Sequence, residues 1–235
     1  MARASQLKKI GPLEVIEVPG SPTGPVIVLF HGYGANAYDL LSLVNLVSTP
    51  PGTAWFFVQG DLKVVDGGFE GRAWFPLDVQ ALDRAMMENR FLDFSNLSPQ
   101  GLKQIREKVL EMLNTLKMSS SRLVLMGFSQ GAMLATDLAL RLPEKIAGLV
   151  ILSGNLINKD LWREKAKTKV GLHFFQSHGD QDQLLDIKQA ENLNELLTTA
   201  GLKGQYHPFH GGHEIPQEII YKLGVFLKKI FTPQN

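Results

Sequence analysis

Leu123-Val124-Leu125-Met126-Gly127-Phe128-Ser129-Gln130-Gly131 is the stretch on which the fold turns. Its first half is a continuous apolar run, as in a strand buried on both faces of a parallel sheet. Its second half matches G-x-S-x-G and opens a helical run from Gln130 to Leu142, which stops at Pro143 because proline cannot continue a helix. Strand, tight turn and helix in that order is the setting in which this pattern carries chemistry. A serine on a sharp, strained turn needs flanking glycines, since a β-carbon there would strike the neighbouring strand and helix. Such a turn lifts the hydroxyl out at the carboxyl edge of the sheet, where open α/β folds place their sites. The competing reading is a plain glycine-rich turn with a serine capping the helix.

The same kind of run recurs on both sides. Val26 to Phe30, Ala54 to Val58, Gly148 to Leu152 and His173 to Ser177 read as buried strands, while Leu13 to Val18 alternates and reads as an antiparallel edge strand. Between them lie helical patterns. Ala37 to Val47 carries Leu40, Leu43, Val44 and Val47 on one stripe, and Ser98-Pro99 offers an N-cap and N1 for a helix to about Lys117. Ile187 to Ala200 ends at Gly201, and a last helix runs from near Pro216 to about Phe231, with Lys222, Lys228 and Lys229 on its wet face. Alternating strands and helices predict an α/β fold, a mostly parallel central sheet with helices on both faces. With no repeat or composition shift, one domain is expected over 1–235. The irregular segment 59–97 holds Gly60, Gly67, Gly68 and Gly71, with a short helix expected around Leu82 to Phe91. A connection of that length is expected to cover a site.

Composition removes several functions. A net charge of +1 argues against nucleic acid, which demands clustered cations. The densest basic stretch, Arg163 to Lys169, includes Glu164 and reads as a solvated face. The chain has no cysteine, which excludes disulfides, thiolate metal sites and a cysteine nucleophile. Met1 to Ile10 lacks the apolar core of a signal peptide, and no apolar run approaches the ~18 residues that span a bilayer. A cytoplasmic location is expected.

A serine hydroxyl needs a base to take its proton. In α/β-hydrolases the order along the chain is serine, acid, histidine. His213 follows Gly211-Gly212 and precedes the last helix, a loop position from which the ring can reach Ser129; His210 is the alternative. His173 falls within a strand, His178 precedes any good acid, and His207 lies on or beside the last strand. In His178-Gly179-Asp180-Gln181-Asp182, the acid is read as Asp182, because Asp180 beside Gly179 has the character of a turn-former bonding its own backbone. Asp186 suits an N-cap for the helix from Ile187. His31-Gly32-Tyr33-Gly34 follows the strand Val26 to Phe30, so the backbone N–H of Tyr33 is expected to join that of Gln130 in an oxyanion hole. The alternative is a glycine-rich turn and nothing more.

Together these pieces resemble the phospholipase/carboxylesterase family of α/β-hydrolases, which includes acyl-protein thioesterases and small bacterial carboxylesterases. The resemblance rests on Leu29-Phe30-His31-Gly32-Tyr33-Gly34, Arg72-Ala73-Trp74-Phe75, Gly127 to Gly131, His178 to Asp182 and Gly211-Gly212-His213. It implies Ser129, Asp182 and His213 as the triad, Tyr33 and Gln130 at the oxyanion hole, and Trp74 with its surrounding loop lining an acyl pocket, whose volume Phe75, Leu156 and segment 59–97 would set. It also implies ester, thioester or lysophospholipid substrates, no cofactor, and a homodimer as one expected state. Where the family often continues after the acid with branched residues and a proline, this chain has Gln183-Leu184-Leu185-Asp186, which bears on the pocket wall.

Two other classes compete. His207, His210 and His213 are spaced by three, inviting a metal, but Pro208 and Gly211-Gly212 disfavour a helix that would align them, so none is expected. The other is a non-catalytic ligand-binding member of the same fold.

Overall fold

The structure, a computed structural model, describes residues 6–66 and 68–232; Gly67, the first five residues and the last three lie outside them. Eight strands form the central sheet: β1 (Leu7–Ile10), β2 (Leu13–Val18), β3 (Val26–Phe30), β4 (Ala54–Val58), β7 (Leu123–Phe128), β8 (Gly148–Leu152), β9 (His173–Gly179) and β10 (Lys203–Phe209). Their spatial order is β1-β2-β4-β3-β7-β8-β9-β10. β1 and β2 run antiparallel, β2 joins β4 antiparallel, and every other pairing is parallel. A separate hairpin, β5 (Leu62–Asp66) and β6 (Phe69–Ala73), rises from segment 59–97.

The continuous apolar runs are explained by burial on both faces. In β3, Val28 and Phe30 face one core cluster while Ile27 and Leu29 face the other. The first cluster packs under α3 (Leu102–Leu116), α4 (Gln130–Arg141), α5 (Lys159–Ala166) and α6 (Ile187–Thr199). The second packs under α1 (Leu43–Leu46) and α7 (Gln217–Phe231). α4 is buried from Gln130 to Leu140, which makes it the central helix. A buried ion network clamps it to its neighbours: Asp137 accepts from Arg106 at 2.6 Å, Arg141 at 3.1 Å and Trp162 Nε1 at 3.0 Å.

Three expectations need correction. The helix expected over 37–47 is only Leu43–Leu46, preceded by successive turns. Asn36 and Asp39 cause this: Asn36 Oδ1 accepts from Tyr38 N at 2.8 Å and Asp39 accepts from Asn36 N, offering the backbone partners that compete with helix. The helix expected from Ser98-Pro99 begins instead at Leu102, because Gly101 adopts φ +84°, outside the helical region. Leu13–Val18 is antiparallel as read, but β1 lies outside it, so β2 is not the edge. The short helix expected within 59–97 is α2, Val79–Met87, capped by Asp78 accepting from Ala81 N at 2.8 Å.

Candidate active site

Ser129 stands between β7 and α4 at φ +56°, ψ −121°, a strained backbone for a residue with a side chain. The surrounding contacts explain the glycines. A β-carbon at Gly127 would come 2.2 Å from the carbonyl carbon of Gly131, and one at Gly131 would come 2.1 Å from the carbonyl oxygen of Phe30. No side chain fits at either place. The Ser129 N–H donates to Leu152 O at 2.9 Å, fixing the turn against β8.

His213 reaches this turn from the loop before α7. Its ring packs on Phe128, the residue preceding Ser129, with centroids 4.8 Å apart. Its Nδ1 lies 2.6 Å from Oδ2 of Asp182. A carboxylate only accepts, so Nδ1 carries the proton and Nε2 is left as the basic nitrogen. Asp182 is buried; burial opposes its charge, but bonds from His213 and from the N–H groups of Leu185 and Leu184 outweigh it and hold the carboxyl below its usual range. The loops carrying the two groups are fastened together. Asp180 N donates to Phe209 O and Gln181 N to Gly211 O, each at 2.9 Å. Gly179 permits this approach, since a β-carbon there would lie 2.3 Å from the carbonyl oxygens of Gly211 and Gly212.

The alternatives go elsewhere. Asp180 bonds its own backbone and also reaches across to the histidine loop: Oδ1 accepts from Gly211 N at 3.2 Å, and Oδ2 lies 3.2 Å from Nδ1 of His210, which is exposed. His207 packs on Phe175, and His173 opens β9. Among the described residues no group of three His, Asp or Glu is placed to hold a metal. Asp186 caps α6, accepting from Lys188 N at 3.0 Å.

The loop 31–34 lies against the Ser129 turn: a β-carbon at Gly32 would be 3.4 Å from Cβ of Ser129. Tyr33 is half-buried there, and Gly34 N donates to Arg72 O at 2.9 Å. His31 anchors the loop with both ring nitrogens. Nε2 accepts from Gly60 N at 3.0 Å, so the proton sits on Nδ1, which donates to Gly32 O at 2.7 Å. Burial drives the pKa of this ring down to about 4, so it stays neutral. Trp74 Nε1 donates to the His31 carbonyl at 2.7 Å. The side chain of Gln130 completes the assembly, with Oε1 accepting from Trp74 N at 2.9 Å and Nε2 donating to Phe75 O at 2.7 Å. Sequence reasoning found Gln130 for its backbone and His31 only as part of a motif. Their partners Gly60, Trp74 and Phe75 lie tens of residues away, beyond any spacing signal.

Trp74 and Phe75 line a cavity of about 370 Å³ with Leu62, Pro76 and Ile105. Leu156, expected beside them, instead lines a groove between α5 and α6 with Lys159, Arg163 and Leu196.

A mostly parallel sheet with a serine on a strained strand–helix turn, and with histidine and carboxylate loops at its carboxyl edge, defines an α/β-hydrolase. Residues 12–231 match the Phospholipase/Carboxylesterase family, and the chain belongs to it. It is thereby a hydrolase of the carboxylesterase/thioesterase type. Among its relatives, acyl-protein thioesterase 1 of Candida albicans is 23% identical over 93% of this chain and 98% of that protein. The protein of the same name from Kluyveromyces lactis is 28% identical over 79% of this chain and 82% of its own. Among solved structures, esterase PE8 superposes with a TM-score of 0.75 at 26% identity, covering 93% of this chain and 99% of that one. The Bacillus cereus carboxylesterase gives 0.68 at 21%, covering 93% and 95%. No helix among the described residues is long and apolar enough to cross a membrane.

Proposed function

We propose that the chain hydrolyses carboxylic esters and thioesters through an acyl-enzyme formed on Ser129. The observation that carries this reading is the 2.6 Å contact between His213 and Asp182, made by a ring that also packs on the residue next to Ser129. Ser129 Oγ attacks the acyl carbon while Nε2 of His213 takes its proton; Asp182 holds the tautomer and stabilises the imidazolium. The backbone N–H groups of Tyr33 and Gln130 receive the oxyanion. Collapse expels the alcohol or thiol, which collects the proton from His213. Water, deprotonated by the same nitrogen, then attacks the acyl group, releases the acid and restores Ser129.

For the acyl chain we assign the cavity beside Trp74 and Phe75, since Gln130 bonds the backbone of both residues and so fixes that wall to the nucleophile turn. Thioesters are included because the relatives named acyl-protein thioesterase favour them. A chain-length series of p-nitrophenyl esters and acyl thioesters tests the proposal. Turnover is expected in the wild type and lost in Ser129→Ala. Absence of turnover on every substrate, or equal turnover in the variant, would overturn it.

A further inference from the structure

One buried histidine has no part in the chemistry above. His178, near the end of β9, is fully buried. Its Nε2 lies 3.0 Å from Leu185 O and 3.4 Å from Oδ2 of Asp182. A carbonyl oxygen only accepts, so Nε2 carries the proton. Nδ1 is then an unprotonated nitrogen, buried and without a hydrogen-bond partner among the described residues. The peptide at Leu185 is gripped from both ends: its N–H donates to Oδ1 of Asp182 at 3.0 Å, and its carbonyl takes the proton of His178. Leu184 N adds a second bond to the same Oδ1 at 2.8 Å. His178, Leu185 and Asp182 thus form a closed ring around the carboxylate, with Oδ2 facing His213 on one side and His178 on the other.

We propose that His178 is a positioning residue for the acid: by donating to the Leu185 carbonyl it locks the 182–185 turn, whose N–H groups hold Oδ1, so that Oδ2 points at His213. This rests on the assignment of Asp182 and His213 made above. The groups facing the ring are Asp182, His213 and Asp186, together with the Leu185 carbonyl. Burial holds the imidazole pKa below its usual value, against the pull of Leu185 and the carboxylates.

The test is the pH dependence of the rate at which a fluorophosphonate labels Ser129, whose acid limb reports the base. His178→Phe keeps the volume and removes the donor. The Leu185 carbonyl then loses its donor and the 182–185 turn slackens, Oδ2 holds the His213 imidazolium less tightly, and the acid limb should move down by about half a pH unit, the scale of one lost neutral hydrogen bond. His178→Gln can return an amide donor close to the position of Nε2 and should bring the limb back towards wild type. A ring that merely fills space would give an unmoved limb in His178→Phe, or the same change in both variants, and either result overturns the inference. Normal labelling with an unmoved limb defeats only the role of His178. A wild type that is never labelled at Ser129 defeats the reading beneath it.

Discussion

Gln130 grips the backbone of Trp74 and its neighbour with both ends of its amide, at 2.9 and 2.7 Å. The residue that follows Ser129, the proposed nucleophile, therefore also fixes the wall of the proposed acyl pocket. Gln130→Leu keeps the bulk and strands two buried backbone groups. It should lower stability by about 2–3 kcal/mol, read as a shift in the urea midpoint, and lower ester turnover with it. An unchanged midpoint would show that these bonds are replaceable.

The acid is tested by Asp182→Asn. The amide keeps the shape but leaves His213 without a carboxylate to hold its tautomer. kcat should fall by about 10³–10⁴-fold while the thermal transition stays cooperative. A loss under tenfold in a folded variant would move the acid elsewhere.

His31 makes stability depend on pH. Its folded pKa is about 4 against 6.5 in the free side chain, so below 6.5 the unfolded chain binds a proton that the folded chain refuses. Its contribution is therefore full above 6.5 and is lost as pH falls towards 4, by about 3 kcal/mol in all. Burial likewise lowers the pKa of His173, His178 and His207, which adds to the same trend. In His31→Gln the amide oxygen can take the Gly60 N–H without titrating. Between pH 7 and 4.5 this variant should lose about 2–3 kcal/mol less than wild type in urea unfolding. Equal losses would mean that His31 does not resist protonation.

Asp137 carries two arginines and an indole N–H with no exposed surface of its own. Removing its charge in Asp137→Asn leaves Arg106 and Arg141 without their anion and should cost about 3 kcal/mol or more. A urea midpoint within error of wild type would show that solvent satisfies both arginines.

Periodicity and turn chemistry made much of this architecture legible. Continuous runs such as Val26 to Phe30 could only be strands covered on both faces, and the glycines around Ser129 needed the strand–turn–helix that the structure contains. Local competition was harder to read. Asn36 and Asp39 diverted an apolar stripe into turns, and Gly101 moved a helix start past an attractive Ser-Pro cap. β1, with Lys8 and Lys9 in its middle, carried no apolar alternation to announce an outer strand. The side-chain partners of Gln130, His31 and Leu156 are set by how loops stack at the sheet edge, which no spacing in the chain encodes.

Treatment with a fluorophosphonate, followed by intact mass and peptide mapping, tests the convergence at Ser129 most directly. One adduct per chain, located on Ser129 and absent from both Ser129→Ala and His213→Ala, is the predicted result. An adduct mapped to another side chain, or undiminished labelling in either variant, would contradict it.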